Sequence, residues 1–177
     1  MSEKKLTIAI GTDHAGYPFK RDLIDYIESL GHKAVDFGCP GAQPCDYPEI
    51  AVRTARSVVK KEADRGILIC GTGVGMAIAA NKVGGIRAGV CWNDDIAKLI
   101  SEHNRANIIC LPARFSGLEQ MKKWIKIWLD TPYSKEERHV RRLEQVMQIE
   151  EARGPAGPKG PSPQVHRPYG SRRKKNE

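Results

Sequence analysis

The chain has 177 residues, of which 40% are hydrophobic and 28% charged, a composition typical of a soluble globular protein with room for one domain and a tail. No apolar run approaches the roughly 20 residues that a membrane-spanning helix needs, and no signal peptide is evident, so we expect a cytoplasmic protein without a membrane partner. Residues 152–177 carry +6 of the net charge of +8, and the remaining +2 does not indicate a surface for specific nucleic-acid binding.

The five cysteines are odd in number and irregularly spaced, a pattern that predicts neither a disulfide framework nor a zinc site. Three of them end or adjoin apolar segments, which is typical of reduced thiols. We therefore expect no bound metal.

Short apolar segments alternate with amphipathic ones along residues 1–151, which predicts a single α/β domain. Apolar residues at helical spacing, such as Leu23, Ile27 and Leu30, are followed by Gly31, a frequent helix C-cap. The expected fold is a three-layer α/β/α sandwich with a Rossmann-like, five-stranded parallel sheet. In chain order the predicted elements are a strand over 6–11, a helix over 19–30, a strand over 33–37, a helix over 48–60, a strand over 66–70, a helix over 76–81, a strand over 86–92, a helix over 94–103, a strand over 106–111 and helices over 116–130 and 135–151.

The third predicted strand leads into a loop with three glycines in five residues, Gly71, Gly73 and Gly75. Glycines let the backbone turn sharply and approach a ligand closely. A strand, a glycine loop and a helix N-terminus direct several N–H groups at one point, which suits a phosphate or an oxyanion. The alternative is that the glycines only form a tight turn.

Cys70 is the last residue of this strand, at the carboxyl edge of the sheet, where parallel α/β proteins bind their ligands. A thiol near a helix N-terminus ionises more readily than a free one and can act as a base or a nucleophile. The alternative is a small buried core cysteine.

Other polar residues follow the strands at the same edge of the predicted sheet. His103 and Asn104 instead precede the fifth strand and belong at the opposite edge of their own subunit. Because a second copy of the chain would bring His103 into the pocket, we expect the site at a homodimer interface. The residues at the carboxyl edge are Asp13, His14, Cys70, Thr72 and Arg114.

Arg138 and Arg142 are four residues apart on the last predicted helix and therefore share one face, where both can grip one phosphate. The alternative is a solvated charged helix in which neighbouring glutamates pair with them. His139, which lies between them, is given no role.

The character of the chain changes after Arg153. Residues 154–162 read as three collagen-like triplets, which are too few for a triple helix. We expect residues 152–177 to form a basic, Pro- and Gly-rich disordered tail outside the chemistry of the domain, with its role left open.

Several separated motifs, in a fixed order, resemble those of the type B ribose-5-phosphate isomerases, whose superfamily includes galactose- and allose-6-phosphate isomerases. The likeness extends from about residue 6 to residue 151 and leaves out the tail. The motifs are G-T-D-H-A-G at 11–16, D-Y-P at 46–48, C-G-T-G-V-G at 70–75, A-A-N-K at 79–82, H-N at 103–104 and R-H-x-x-R at 138–142.

The resemblance implies an aldose–ketose isomerase of the pentose phosphate pathway, without cofactor or metal, that interconverts ribose 5-phosphate and ribulose 5-phosphate through an enediolate. It implies that Cys70 moves a proton between C1 and C2 of the sugar, and that His103 of a partner subunit, helped by Asn104, opens the furanose ring. It also implies a sheet order of 2-1-3-5-4. The other implied site residues are Thr72 with the backbone of Gly71, Gly73, Val74 and Gly75 for the enediolate oxygen, Asp13 for substrate hydroxyls, and His14, Arg114, Arg138 and Arg142 for the phosphate.

Two other functions stay open at this point. One is the same reaction on a six-carbon sugar phosphate, because the sequence does not fix the depth of the pocket. The other is a nucleotide-binding module without catalysis, although the third glycine comes one residue too early for the dinucleotide fingerprint. The sequence also leaves open whether the dimers pair into tetramers, and whether Trp92 shapes the pocket or fills the core.

Overall fold

The computed structural model describes residues 5–152 of the chain. The predicted disordered tail lies outside these residues, except for Ala152, which ends the last helix. Within the described part of the chain, no helix is both long and apolar enough to cross a membrane. The strands are β1 Thr7–Thr12, β2 Lys33–Asp36, β3 Arg65–Cys70, β4 Ala88–Val90 and β5 Ile108–Pro112. The helices are α1 Tyr17–Ser29, α2 Tyr47–Val59, α3 Val74–Ala80, α4 Asp94–Glu102, α5 Leu118–Asp130 and α6 Glu137–Ala152.

The five strands form one parallel sheet in the order β2-β1-β3-β5-β4. This confirms the predicted Rossmann-like α/β sandwich and its strand order. Because the chain leaves β1 and β3 towards opposite faces of the sheet, the carboxyl ends of these two neighbours flank a crevice, which is where open α/β sheets bind ligands.

Alternate side chains of each central strand enter two separate cores. Ile8 and Ile10 of β1 point to the face covered by α1, α4 and α5 and are fully buried there. Ala9 of β1 and Leu68 of β3 point to the other face, under α2 and α3. The central strands are thus buried on both faces, which explains their continuous apolar sequences.

β4 is shorter than the strand predicted over 86–92 because it lies at the edge of the sheet. The side chain of Asn81 donates to the carbonyl of Ala88 (2.9 Å) and accepts from its N–H (2.8 Å). The N–H of Arg87 donates to the side chain of Asn107 at 2.8 Å. The side-chain amide of Asn81 therefore takes the place of a strand partner at the open edge of β4, and that of Asn107 extends the contact between β4 and β5.

The prediction that the cysteines form no disulfide is wrong for one pair. Cys39 and Cys45 are joined within the loop between β2 and α2. The Gly- and Pro-rich loop turns back on itself and brings the two residues together, which their irregular spacing in the sequence does not reveal. The other cysteines, Cys70, Cys91 and Cys110, are free and buried.

Candidate active site

Cys70 ends β3 at the carboxyl edge of the sheet and is only 4% exposed. The loop that follows is fastened to the chain after β5. The N–H of Ala113 donates to the carbonyl of Cys70 (2.9 Å), and the N–H of Arg114 donates to the carbonyl of Gly71 (3.0 Å). These bonds continue the β3–β5 pairing past the strands, so the thiol is carried by a fixed stretch of backbone.

Gly73 makes the tight approach of the glycine loop to β5 possible. Its φ of 74° is left-handed, and a Cβ atom there would lie 3.3 Å from the carbonyl carbon and oxygen of Cys110. The first bond inside α3 runs from the N–H of Ala77 to the carbonyl of Gly73, so the N–H groups of residues 74–76 have no partner within the helix. The Val74 N–H donates to the hydroxyl of Thr72 at 3.3 Å, and Thr72 is exposed. The loop therefore holds backbone donors and a hydroxyl close to the end of β3.

The loop after β1 is pinned beside the end of β3. The N–H of Asp13 donates to the carbonyl of Ile69 (3.1 Å), and its carboxylate Oδ1 accepts from the N–H groups of Ala15 (2.8 Å) and Gly16 (3.1 Å). His14 is half-buried, and within residues 5–152 its buried Nδ1 atom has no hydrogen-bond partner. Asp13 and His14 therefore lie near Cys70, and His14 holds a polar atom that lacks a partner in the described structure.

Two further side chains border the glycine loop. A Cβ atom at Gly71 would lie 3.3 Å from Cδ and Nε of Arg114, so the exposed arginine lies directly over the loop. A Cβ atom at Gly75 would lie 2.8 Å from the ring of Tyr47, the first residue of α2. Tyr47 was not predicted to lie at the site, although the D-Y-P motif at 46–48 contains it.

His103 and Asn104 lie at the other edge of the sheet, as predicted. They follow α4 and border a cleft of about 450 Å³ between the C-terminal end of α4, the start of β4 and α6. Apolar and polar side chains both line the cleft, and two of the polar ones are arginines, Arg87 and Arg142. Burial and the neighbouring Arg105 lower the pKa of Arg87. The polar lining residues of the cleft are Asn81, Arg87, His103, Asn104, His139 and Arg142.

The two arginines of α6 differ in their surroundings. Arg142 borders the cleft, whereas Arg138 is exposed and forms a salt bridge with Glu136 at 2.9 Å. For Arg138 the structure thus contains the glutamate pairing that the alternative interpretation predicts. Such an exposed pair contributes little to stability and is easily exchanged for another anion.

The two groups of residues are too far apart to contact one small molecule within a single chain. His103 precedes β5 and Arg114 follows it, and the five residues of β5 span roughly 16 Å at about 3.3 Å per residue. One chain therefore carries two separate groups of candidate site residues, which we call half-sites. The carboxyl-edge half-site comprises Asp13, His14, residues 70–75 and Arg114, and the amino-edge half-site comprises His103, Asn104, His139 and Arg142.

Trp92 follows β4 at the carboxyl edge and is 58% exposed, so the interpretation that it fills the core is wrong.

The free thiols other than Cys70 are expected to be unreactive near neutral pH. Burial raises the pKa of Cys91 to about 12, and burial together with the nearby Cys70 raises the pKa of Cys110. Among residues 5–152, no three His, Cys, Asp or Glu side chains are grouped so that they could hold a metal ion.

Comparison with known proteins gives a consistent result. The sequence model of the Ribose/Galactose Isomerase family matches residues 8–146. Ribose-5-phosphate isomerase B of Escherichia coli is 40% identical over 146 residues, which are 82% of this chain and 97% of the relative. D-erythrulose-4-phosphate isomerase of Pectobacterium atrosepticum is 40% identical over 129 residues, 72% of this chain and 85% of the relative. The solved structure of Clostridium thermocellum ribose-5-phosphate isomerase B is 42% identical with a TM-score of 0.80, covering 82% of this chain and 98% of that one.

Proposed function

The chain belongs to the ribose/galactose isomerase family, and from that membership we propose that it is an aldose–ketose isomerase that interconverts ribose 5-phosphate and ribulose 5-phosphate. The observation that carries the proposal is the buried thiol of Cys70 beside the glycine loop, in a chain 40% identical to a ribose-5-phosphate isomerase B along nearly the whole length of that relative. A hexose phosphate isomerase and a nucleotide-binding module are not favoured by any feature of the described structure.

In the chemical step, the Cys70 thiolate takes the proton from C2 of the open-chain aldose and returns it to C1. Between these two transfers the substrate is an enediolate, in which the hydroxyl proton moves from O2 to O1, so that C1 becomes the alcohol and C2 the carbonyl. A proton next to a carbonyl is too weakly acidic for a thiolate unless the developing oxyanion is stabilised. Preorganised backbone donors lower such a barrier by several kcal/mol. We assign this task to the N–H groups of residues 71–75 and to the hydroxyl of Thr72.

Substrate hydroxyls and the phosphate occupy the rest of the site. Oδ1 of Asp13 already holds the loop after β1, so we assign its Oδ2 to the substrate hydroxyls. His14 and Arg114 border the phosphate from the same chain, and His14 has an unpartnered ring nitrogen available for it. Arg138 and Arg142 of a partner subunit complete the phosphate site.

Ring opening requires a proton donor, and the histidine of the carboxyl-edge half-site, His14, is already assigned to the phosphate. We assign this step to His103 of the partner subunit, which protonates the ring oxygen, with Asn104 beside it. A homodimer with two-fold symmetry forms two such sites, because each carboxyl-edge half-site faces the amino-edge half-site of the other chain.

Exposed apolar side chains support this assembly. Val74, Ile78 and Phe115 are 48%, 59% and 74% exposed near the glycine loop, and Val146 and Ile149 are 53% and 59% exposed on α6. Clustered apolar surface of this kind marks a protein interface. We propose a homodimer, or a dimer of dimers, that works in the cytoplasm in the pentose phosphate pathway, where both sugar phosphates are metabolised.

A coupled isomerase assay on ribose 5-phosphate, allose 6-phosphate and galactose 6-phosphate tests the proposal. We expect kcat/KM to be highest for ribose 5-phosphate. One additional carbon group in a fitted pocket changes specificity by roughly 10- to 200-fold, so the preference is measurable. A preference for a hexose phosphate would overturn the substrate, and no turnover of any of the three would overturn the function.

A further inference from the structure

His139 is buried against His103, the residue to which we assign ring opening. The two ring centroids are 4.0 Å apart with an angle of 37° between the ring planes. His139 is 4% exposed, whereas the side chain of His103 is 36% exposed. A buried, fixed ring therefore supports a more exposed one.

His139 is itself held by the segment that joins α5 to α6. Its Nδ1 atom is 2.8 Å from the hydroxyl of Ser134. The N–H of Ser134 donates to the carbonyl of Glu102 (3.0 Å), and the hydroxyl of Ser101 donates to the carbonyl of Thr131 (2.6 Å). The segment is thus bonded twice to the last turn of α4, the turn that ends next to His103.

We propose that His139 is a positioning residue for ring opening: clamped by Ser134, its ring holds the imidazole of His103 in the orientation that presents a proton to the sugar ring oxygen. The inference rests on the proposed function. It gives a task to a side chain whose sequence position suggested none.

The physical need for such a support follows from where His103 lies. It is the C-cap of α4, and its Nε2 atom is 4.0 Å from Glu102, a contact too long to fix the ring. A displacement of about 1 Å in a catalytic group can lower a rate roughly 100-fold. A stacked ring restricts rotation about both side-chain torsions while leaving the ring nitrogens of His103 free for proton transfer.

The charges around His139 suit a supporting role. Burial lowers the pKa of His139, and His103, Arg138 and Arg142 lower it further against the opposing effect of Glu136. His139 therefore stays neutral beside His103. A neutral neighbour does not repel the proton that His103 must carry.

Ring opening can be separated from the chemical step by the choice of substrate. Ribose 5-phosphate is mainly a closed furanose, whereas a four-carbon sugar with its phosphate on O4 has no hydroxyl left to close such a ring. D-erythrulose 4-phosphate, the substrate named for one of the relatives, is such an acyclic sugar. Loss of a ring-opening aid therefore affects the first substrate and spares the second.

The experiment compares full-length His139→Ala, His139→Phe and Ser134→Ala with the wild type on both substrates. We expect His139→Ala to lower kcat for ribose 5-phosphate roughly 10- to 100-fold and to change turnover of the acyclic sugar by less than about 3-fold. His139→Phe keeps a stacking ring and should recover part of the loss. Ser134→Ala should show the same selectivity with a smaller effect. Gln145→Ala, an exposed position on α6, is the matched control and should match the wild type on both.

If the wild type does not accept D-erythrulose 4-phosphate, deuterium incorporation from D₂O at C1 of ribulose 5-phosphate replaces it as the measurement on an acyclic substrate, because that exchange needs no ring opening. If folded His139→Ala loses activity equally on the cyclic and the acyclic substrate, or loses none on ribose 5-phosphate, the proposed role of His139 is wrong. Inactivity of the wild type towards ribose 5-phosphate would instead overturn the proposed function. Thermal melting of each variant separates both outcomes from misfolding.

Discussion

The two half-sites of this chain are held in very different ways. The carboxyl-edge half-site is an extension of the core. Cys70 ends β3, which is buried along nearly its whole length, and backbone bonds from Ala113 and Arg114 fix the loop that follows Cys70. The amino-edge half-site is held largely by side chains: the ring of His139 lies against His103, and the carboxylate of Glu150 accepts from the N–H of Gly85. The segment before α6 adds one backbone bond and one side-chain bond to the last turn of α4.

The surroundings of α6 extend this contrast. Val146, Met147 and Ile149 of α6 are 53%, 45% and 59% exposed, so part of its apolar surface is not covered by its own subunit. A helix held by few contacts opens at a lower free energy than a core strand does. In terms of the proposed function, one chain preorganises the residues assigned to proton transfer by itself. We expect the residues assigned to ring opening and phosphate binding to gain their final geometry only in the proposed dimer.

The largest expected effect is at the preorganised half-site. Cys70→Ala removes the proposed base, and we expect kcat to fall by about 1,000-fold or more, with the melting temperature and KM little changed. The coupled isomerase assay measures this. Cys110→Ala is the matched control, since Cys110 is a buried thiol of the same core that stays protonated, and it should keep most of the activity.

If Cys70→Ala retained near-normal turnover, the base would have to lie elsewhere, and proton transfer could not be assigned to the carboxyl-edge half-site. If Cys110→Ala were as inactive as Cys70→Ala, the loss would reflect repacking of the core rather than removal of a base.

The proposed sharing of half-sites between two subunits predicts the next effect. His103→Asn should lower kcat for ribose 5-phosphate by about 100-fold. When Cys70→Ala and His103→Asn chains are mixed in equal amounts, unfolded and refolded together, half of the dimers carry both variants, and each of these has one intact site. We therefore expect about a quarter of the wild-type activity. Heterodimers verified by mass spectrometry that stay inactive would place both half-sites in one chain and contradict the proposed interface.

A smaller effect is expected for the arginines of α6. Arg142→Ala should raise KM for ribose 5-phosphate roughly 10- to 100-fold with a lesser change in kcat, because a hydrogen bond to a charged group contributes about 1.5–3 kcal/mol. Arg138→Ala should raise KM less, since Arg138 must first leave Glu136. Arg141→Ala, also exposed on α6, serves as the control. Equal KM values for Arg142→Ala and Arg141→Ala would remove Arg142 from the phosphate site.

The smallest effect concerns stability against pH. Burial lowers the pKa of His139 below its ordinary value of 6.5. The unfolded chain therefore binds a proton more tightly than the folded one, and the resulting stability is fully present above pH 6.5 and declines as the pH falls below it. Urea unfolding at pH 8 and pH 5.5 should show a smaller decline for His139→Phe than for the wild type. An identical decline in both proteins would contradict this assignment.

The same contrast explains what the sequence could predict. The alternation of apolar and amphipathic segments was sufficient to predict the fold, and the apolar segment before the glycines was sufficient to predict that Cys70 ends a strand at the carboxyl edge, because both follow from local pattern and parallel topology. The function of Cys70 stays a prediction. The contact between His103 and His139 could not be predicted from the sequence. The two residues are far apart in sequence, and their contact depends on how the segment before α6 bonds to α4.

Three other features that were not predicted from the sequence also depend on contacts between distant or irregular segments. The Cys39–Cys45 disulfide depends on the path of a loop, the ring of Tyr47 lies against Gly75 at the edge of the sheet, and β4 begins later than predicted, at Ala88, where the side chain of Asn81 bonds to it. None of these follows from propensity or spacing.

The state of the cysteines has a practical consequence for covalent chemistry. All five lie within residues 5–152; two form a disulfide, and the raised pKa values of Cys91 and Cys110 keep both as unreactive thiols near neutral pH. An alkylating agent that carries a phosphate should accordingly modify Cys70 alone in the folded protein. The number of adducts per chain would then measure the fraction of chains with an accessible Cys70 in a preparation. Such a reagent would be a starting point for an irreversible inhibitor.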